Sequence, residues 1–374
     1  MRLRAAVLPL AAIVGCGVPS IEPTASSNLC SGAACAGACA PGYADCDADL
    51  AGDGCESSLA SVTSCGACGV VCRPGQLCTV AGCEWPSCAE GGAGLRSCGA
   101  KGDESCCASL PVPAGTFPRA PGEAATAAVS ALELDRYEIT VGRFRAFLHA
   151  WMDAGWRPAA GAGKHAQLPG GGLPGDTGWD PGWAFDFPTS FEQWFSTLTC
   201  DNAHPEVWTW TWMPADHEAR PASCLKWAWA YAFCVWDGGF VPTEAEWQLA
   251  AGGGDEARAF PWGVEPPDAS RATWCGAPYC GTLVDVGAHS PRGDGRFGQA
   301  DLAGGLAEWV LDGWRDALPP TCVDCAQVKS ADGLRTLRGG SWIDPADALH
   351  TWARAPRANI NTSWIGARCA RPPR

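Results

Sequence analysis

The distribution of cysteine constrains the possible fold of this chain more than any other feature of its sequence. Of its 23 cysteines, fifteen lie in the first 107 residues and eight in the remaining 267. So many cysteines predict an oxidising compartment, because a reducing cytosol would keep their thiols unpaired. We therefore expect an exported protein with two parts, of which the first depends on disulfides and the second on a hydrophobic core.

The N-terminus also predicts export. Arg2 and Arg4 precede an apolar run over residues 5–14 that is too short to span a bilayer and has the form of a secretory signal. Residues 13–16 resemble the lipobox of bacterial lipoproteins, in which the cysteine, here Cys16, receives lipid. The alternative is an ordinary signal peptide with a chance cysteine.

We accordingly predict a lipoprotein signal over residues 1–16 and a flexible tether over residues 17–29, which contain two prolines and three serines. A mature chain that carries lipid at its N-terminus would be anchored to a membrane without spanning it. The expected location is the bacterial cell envelope, at the outer membrane or the cell surface.

Composition and charge exclude two broad classes. The net charge is −14 and no block of Lys or Arg is present, so the chain lacks the electrostatic footprint of a nucleic-acid-binding protein. The 47 Gly and 30 Pro residues predict many turns and little long helix, which excludes an all-helical bundle.

Residues 30–110 are predicted to form a disulfide-rich stalk. They contain few large apolar residues and cannot form a sizeable hydrophobic core. Disulfides must therefore compensate for the conformational entropy that the chain loses on folding. Cys65 and Cys68 could belong to a zinc ribbon or a redox motif, but export favours structural disulfides. Their spacing resembles small Cys-rich modules that precede binding domains in exported myxobacterial proteins.

One stretch of the stalk has the spacing of a calcium-binding loop. Five carboxylates occupy positions 1, 3, 5, 9 and 12 of such a loop, and hard oxygen ligands of this kind suit Ca²⁺; they are Asp45, Asp47, Asp49, Asp53 and Glu56. Leu50 stands where the sharp turn needs a glycine, so an acidic, solvated turn is the competing interpretation. A disulfide between Cys46 and Cys55 could close the loop.

Residues 111–374 have the composition of a folded α+β domain. Thr140 is expected to cap a helix over residues 141–154, in which apolar side chains recur at three- and four-residue spacing. Thr243 and Glu246 form a capping box for a helix that ends at Gly252. A third helix is predicted over residues 226–236, and two strands are predicted over residues 131–134 and 334–337.

Seven motifs of this region follow one another in the order of a known family. They are 135–141 with Phe144 and Phe147, 232–236, 241–247, 260–263, 298–309, 337–342 and 366–371. Together they resemble the formylglycine-generating enzyme family, also called the sulfatase-modifying factor family, over about 260 residues. The resemblance implies a loop-rich variant of the C-type lectin fold, preceded here by the small disulfide-rich region.

The resemblance also identifies where catalysis should occur. Oxidase members use two cysteines, spaced CxxxxC after a Gly-Gly-Ser motif, to bind copper(I) and activate oxygen while a substrate cysteine becomes formylglycine. Counted from Gly339-Gly340-Ser341, those positions hold Asp344 and Leu349. Copper(I) prefers soft thiolates, so copper is not expected and no catalytic residue is assigned. The six histidines are dispersed, which disfavours the iron-dependent branch of the family.

Structural features of the family can be assigned to residues of this chain more readily than the catalytic residues. The resemblance implies a calcium ion held by the carboxylates of Asp301 and Glu308 and by the carbonyls of Gly304 and Leu306. It also implies a disulfide between Cys234 and Cys369, worth about 4–5 kcal/mol in the chain-entropy model. The other six cysteines of the domain are expected to pair locally, as Cys200 with Cys224, Cys275 with Cys280, and Cys322 with Cys325.

Three tryptophans suggest a binding surface. If residues 208–212 formed a strand, Trp208, Trp210 and Trp212 would lie on one face, where indole rings can stack on sugars or anchor a protein partner. The competing interpretation is that they fill the core, since large aromatic side chains are mostly buried.

These observations lead to one principal hypothesis and two alternatives. The principal hypothesis is an exported, lipid-anchored protein whose family domain lacks oxidase activity and binds a protein or glycan at the cell envelope. The first alternative is an oxidase that acts on exported sulfatase-like proteins through an altered metal site. The second is a purely structural envelope protein.

Overall fold

The computed structural model describes residues 39, 41–48, 55–168, 172–201, 207–276, 279–330 and 332–374. The chain divides into two compact units, Met1–Val70 and Val71–Arg374. The predicted signal, the lipidation residue Cys16 and the tether lie outside the described residues. None of the helices in the described part of the chain is both long and apolar enough to cross a lipid bilayer.

The first unit contains a two-stranded antiparallel ladder, β1 (Tyr43–Ala44) and β2 (Ser57–Ser58). Its disulfides join Cys39 to Cys55 and Cys46 to Cys68. The expected Cys46–Cys55 bond is therefore wrong: the Cys46 amide donates to Glu56, and the Cys46 sulfur bonds to Cys68.

The second unit is built from short strands grouped into small sheets. In chain order the strands are β3 (Leu77–Thr79), β4 (Gly82–Glu84), β5 (Ser109–Val112), β6 (Gly115–Pro118), β7 (Thr126–Val129), β8 (Leu132–Asp135), β9 (Cys275–Gly276), β10 (Tyr279–Cys280), β11 (Ala307–Gly313), β12 (Thr321–Val323), β13 (Arg335–Arg338), β14 (Arg354–Arg357), β15 (Ile365–Gly366) and β16 (Ala370–Arg371). The predicted strands over 131–134 and 334–337 thus exist, each shifted by one residue as β8 and β13.

Long-range pairing holds these strands together. The largest sheet has the order β14-β13-β11-β15, in which β15 runs parallel to β11 and the other neighbours are antiparallel. Two three-stranded sheets have the orders β16-β8-β5 and β12-β7-β6, and β3-β4 and β9-β10 are hairpins. The C-terminal strand therefore completes a sheet begun more than 200 residues earlier, so the unit cannot form from its first part alone.

In the described residues, four α-helices accompany the strands: α1 (Val141–Met152), α2 (Phe191–Leu198), α3 (Trp227–Trp236) and α4 (Glu244–Gly252). The Thr140 hydroxyl accepts from the Arg143 amide and starts α1, which ends two residues before the predicted residue 154. The capping box of Thr243 and Glu246 is confirmed, and α4 ends at Gly252 as predicted. Helix α2, capped by Ser190, was not anticipated.

The main core lies between α1, α2 and α3 and is dominated by aromatic rings. Phe144 of α1 contacts Trp194 of α2 edge to face and stacks on Phe233 of α3, at centroid distances of 6.0 Å in both cases. Trp194 and Trp229 are also in edge-to-face contact, at 4.7 Å. Such pairs add to the burial of apolar area, which helps a domain with little regular structure to form a stable core.

Four charged side chains form a network inside the second unit. Arg143 donates to Asp135 at 3.0 Å and to Asp237 at 2.6 Å. Arg371 also pairs with both carboxylates, at 2.7 Å for Asp237. None of the four is accessible to solvent. The network therefore joins β8, α1, the end of α3 and the C-terminal strand.

A second buried charge secures the loop that precedes α2. His165 is fully buried, with its two ring nitrogens 3.3 Å from Asp176 and 3.2 Å from Glu246, the N3 residue of α4. Burial alone would lower the pKa of His165, but the carboxylates of Glu246 and Asp176 outweigh it and raise the pKa to about 9. The imidazole is therefore a cation that links two carboxylates at neutral pH.

The ion network predicts a large effect of one substitution. Arg143→Met leaves Asp135 and Asp237 buried without one of their two cations, so we expect the free energy of unfolding to fall by about 3–5 kcal/mol. Chemical denaturation followed by tryptophan fluorescence measures this. Arg296→Met, which removes an ion pair with the exposed Asp255, is the control and should cost at most about 1 kcal/mol. Equal losses in the two variants would contradict the assigned role.

His165 predicts a pH dependence. Because its pKa is raised in the folded state, its contribution to stability is complete below its ordinary value of 6.5 and is lost as pH rises through about 9. We expect the difference in unfolding free energy between the wild type and His165→Gln to shrink across that range. Phe147→Leu, a core substitution without a titrating group, should show a constant difference. A constant difference for His165→Gln would contradict the prediction.

Candidate functional site

A cleft opens beside the Gly-Gly-Ser turn that follows β13. Gly339 and Gly340 have φ values of +88° and +65°, which side chains rarely tolerate, and a Cβ on Gly340 would lie 2.8 Å from the Ala348 carbonyl oxygen. This turn places Trp342 on the wall of a cavity of about 710 Å³. The Trp342 amide donates to the Gly305 carbonyl at 2.9 Å, which fixes the wall to the loop before β11. We call this cavity the Trp342 cleft.

Both polar and aromatic groups line the Trp342 cleft. Trp364 and Ile343 supply apolar surface, while Asp201, Thr362 and Ser363 supply polar atoms. The Thr362 hydroxyl is buried and has no hydrogen-bond partner in the part of the chain that the structure describes. A buried hydroxyl without a partner is costly, but this atom has almost no exposed surface through which a ligand in the cleft could reach it.

The two positions where family oxidases have thiols have other roles here. The Ser341 hydroxyl donates to the Asp344 carboxylate at 2.6 Å. Leu349 is 0% exposed and packs with Phe260, Ala272 and Ala303. A carboxylate bound to a serine and an inaccessible aliphatic side chain do not form the soft ligand set that copper(I) requires. The residues at these positions therefore do not fit copper.

A different cysteine pair faces the same cleft. Cys275 and Cys280 are disulfide-bonded across the β9–β10 hairpin, and Cys280 lines the Trp342 cleft. The Cys275 amide donates to the Asp344 carbonyl at 3.0 Å, so the hairpin adjoins the position of the first family thiol. The sequence offered a signal for this pair, since 275 and 280 also have the CxxxxC spacing. Its proximity to Asp344 depends on the fold and could not be read from the sequence.

An adjoining cavity of about 460 Å³ extends the cleft. The two cavities share Cys280, Gly281 and Thr282, and the second is also lined by Trp274 and His289. The depression is therefore elongated, with Cys280, Gly281 and Thr282 at the junction of the two cavities. An elongated depression with aromatic side chains suits a chain-like ligand better than a compact one.

One calcium ligand implied by the resemblance lies in a buried ion pair. Both carboxylate oxygens of Glu308 accept from Arg368, at 2.6–2.9 Å, and one also accepts from the Trp247 indole at 2.8 Å. These donors already supply a counter-charge to the carboxylate, and calcium binding by Glu308 stays a prediction.

Asp301 lies near another carboxylate that the sequence did not single out. Its side chain accepts from the Gly287 amide at 2.6 Å, and burial raises its pKa. Glu138 is also buried and accepts from the Leu306 amide at 3.1 Å; its pKa is raised by burial and by the charges of Asp301 and Glu308. The structure thus places Asp301 beside the Gly304–Leu306 segment, with Glu138 as its acidic neighbour.

The three tryptophans of residues 208–212 differ in exposure, although Trp210 and Trp212 line one cavity of about 330 Å³. The segment is irregular, so the strand on which that prediction depended is absent there. Trp210 is only 7% exposed and lies under the Arg145 guanidinium, while the Trp208 indole donates to the Asp201 carbonyl. Trp212 alone is clearly exposed, at 52%. The core interpretation therefore applies to Trp210, and a common stacking surface for all three is wrong.

In the first unit, three of the five predicted calcium ligands lie together. One ligand atom from each of Asp45, Asp47 and Glu56 falls within 4.8 Å of the others. Glu56 accepts from the Cys46 amide at 2.8 Å, a hydrogen bond that lowers its pKa and keeps it ionised. Asp49 and Asp53 lie outside the described residues.

The four disulfides expected among the cysteines after residue 111 are all present. Cys234 bonds to Cys369 across 135 residues. The local pairs are Cys200–Cys224, Cys275–Cys280 and Cys322–Cys325. Cys98 also bonds to Cys106, and both of these cysteines are buried.

Comparison with known proteins decides the family. A family model described as "Sulfatase-modifying factor enzyme 1-like domain" matches residues 98–373. The chain belongs to the sulfatase-modifying factor family. The family assignment from the seven motifs and the loop-rich α+β fold are thereby confirmed. The match begins ahead of residue 111, where the composition changes, and includes the Cys98–Cys106 disulfide. We refer to residues 98–373 as the family domain.

Individual relatives cover less of the chain. The "Inactive C-alpha-formylglycine-generating enzyme 2" of Bos taurus is 33% identical over 172 residues, which are 41% of this chain and 52% of that protein. The "Formylglycine-generating enzyme" of Thermomonospora curvata is 28% identical over 227 residues, 51% and 73% of the two chains. The structure of PvdO from Pseudomonas aeruginosa aligns with a TM-score of 0.46 at 21% identity, over 71% of this chain and 94% of that one. This chain spans about half the length of the first relative, so the activity of a whole relative does not transfer directly.

The acidic cluster of the first unit predicts calcium binding. We expect the chain to bind Ca²⁺ with a dissociation constant of about 0.1–1 mM, in the range of extracellular modules, measured by titration calorimetry. Asp45→Asn combined with Glu56→Gln should abolish this binding, because both changes remove charge from the cluster. Asp103→Asn, which neutralises an exposed carboxylate elsewhere, is the control. Unchanged binding by the double variant would assign the calcium to another site.

Proposed function

We propose that the family domain is a binding domain without copper oxidase activity, which recognises a protein segment in the Trp342 cleft. The observation that carries this proposal is the pair of residues at the family thiol positions. Asp344 is bound by Ser341, and Leu349 is buried in the core, so neither offers sulfur to a metal. The cleft itself is retained beside them.

The lining of the cleft supports a protein segment as ligand. Trp342 and Trp364 provide surfaces for apolar side chains. Asp201 is the ionisable side chain among the lining residues, so a basic residue in the ligand would be favoured. A glycan is the other ligand that aromatic side chains accommodate, and the experiment below distinguishes the two.

Anchoring to the cell envelope is part of the same proposal. It depends on the signal-like N-terminus and on lipidation of Cys16. A lipid-anchored binding domain would present its cleft to proteins of the envelope, where the many disulfides of the chain can persist. A purely structural envelope protein would show neither a ligand nor turnover.

One observation favours an oxidase with an altered metal site as a second candidate. Cys275 and Cys280 have the CxxxxC spacing of the family thiols and adjoin Asp344. If reduced, they would supply two thiolates, which are soft donors suited to copper(I). In the structure they are joined to each other, which occupies both sulfur atoms.

The test combines turnover with binding. We expect the purified chain to form no aldehyde on a cysteine-containing peptide in the presence of copper(I) and oxygen, as judged by mass spectrometry. On peptide and glycan arrays we expect a peptide ligand whose affinity falls about tenfold in Trp342→Ala, because a cleft tryptophan is a typical anchor. Trp262→Ala, outside the cleft, is the matched control and should bind normally.

The outcomes separate the candidates. Aldehyde formation would establish the oxidase, and a glycan ligand would replace the protein segment. Loss of binding in both tryptophan variants would mean that the binding site is not specific to the cleft. Gain of copper(I) uptake by Asp344→Cys combined with Leu349→Cys would support the loss of the family metal site at these two positions.

A further inference from the structure

The Cys275–Cys280 disulfide differs from the other bridges of the family domain in its accessibility. Cys280 is exposed and Cys275 is half-buried. Every other bridge of the domain within the described residues has at least one buried cysteine. Thiol–disulfide exchange requires in-line access of a thiolate to a sulfur atom, and among the described bridges of the family domain this one has no buried cysteine.

The same bridge contributes less to stability than the long-range one. It joins residues five apart in sequence, whereas Cys234–Cys369 joins residues 135 apart. In the chain-entropy model a short loop restricts the unfolded state less, so opening it costs the fold less. Among the described strands, β9 pairs with β10 and with no strand of the larger sheets. The bridge can therefore open without disruption of the larger sheets.

Its position connects it to the ligand site. Cys280 lines both the Trp342 cleft and the adjoining cavity, in the middle of the elongated depression. The Cys275 amide is held by the Asp344 carbonyl, which fixes the hairpin to the cleft wall. A cysteine of a protein segment in the cleft would thus meet this disulfide directly.

We propose that Cys275–Cys280 is a redox-active disulfide that exchanges with thiols of a protein segment bound in the Trp342 cleft. This rests on the cleft as the binding surface proposed above. A thiolate of the segment attacks the Cys280 sulfur, the Cys275–Cys280 bond breaks, and Cys275 leaves as a thiolate that takes up a proton. The intermediate is a mixed disulfide between the segment and Cys280.

A second thiol of the segment completes the reaction. It attacks the segment's own sulfur in the mixed disulfide and releases Cys280 as a thiol. The dithiol of the segment has then lost two electrons and become a disulfide, while the Cys275–Cys280 pair has gained two electrons and two protons. The substrate class is therefore a protein with two neighbouring cysteines, and no metal takes part.

The first experiment uses the full wild-type chain. It is treated with a low concentration of dithiothreitol, alkylated with iodoacetamide at successive times, and mapped by mass spectrometry. We expect Cys275 and Cys280 to be alkylated about tenfold faster than Cys322 and Cys325, which form a local bridge outside the cleft. Equal or slower labelling of Cys275 and Cys280 would overturn the proposal. Because dithiothreitol needs no binding site, this result is independent of the ligand proposed for the cleft.

The second experiment traps the intermediate. Cys275→Ser leaves Cys280 as a thiol that can attack the disulfide-linked dimer of a cysteine peptide, release one peptide thiol and retain the other peptide as a stable adduct. Cys322→Ser, which leaves Cys325 free, is the matched control. We expect the adduct on Cys280 to form about tenfold faster than the adduct on Cys325. Comparable rates would mean that Cys280 is merely an accessible thiol.

Discussion

The second unit depends on a buried network of two arginines and two aspartates. Asp135 at the end of β8 and Asp237 after α3 share the cations of Arg143 and Arg371, and none of the four reaches solvent. A domain with short strands and few helices has little repetitive hydrogen bonding to fix its layout. Here paired charges do so, because a misplaced element would leave a charge buried without its partner.

The Trp342 cleft, by contrast, is built mainly from loops. The Trp342 wall, the Cys275–Cys280 hairpin and the segment before β15 are irregular or nearly so. They are held at their ends by the sheet that contains β13 and β11 and by single hydrogen bonds, such as Trp342 to Gly305 and Cys275 to Asp344. Rigid interior elements thus position a surface whose sequence can vary, which is how one fold supports relatives with different activities.

Local features of this fold could be predicted from the sequence, whereas contacts between distant segments could not. The caps at Thr140 and Thr243 act within one turn of helix, and local spacing also suggested three disulfides of the family domain. The ion pair of Glu308 with Arg368 could not be predicted, because the two residues are 60 apart in sequence and spacing alone does not match such charges. The prediction of a common face for the tryptophans of residues 208–212 failed for a related reason, because alternate residues lie on the same face only in a strand. The proximity of Cys275 to Asp344 likewise arises only once the chain has folded.

The Cys234–Cys369 bridge has a consequence for proteolysis of the molecule. Its two ends enclose most of the residues that line the Trp342 cleft, from Cys280 to Trp364. A protease that cuts any loop between residues 234 and 369 therefore leaves two pieces that are still covalently joined. Such a nicked chain keeps both halves of its cleft on one molecule, and the damage becomes visible only when the bridge is reduced.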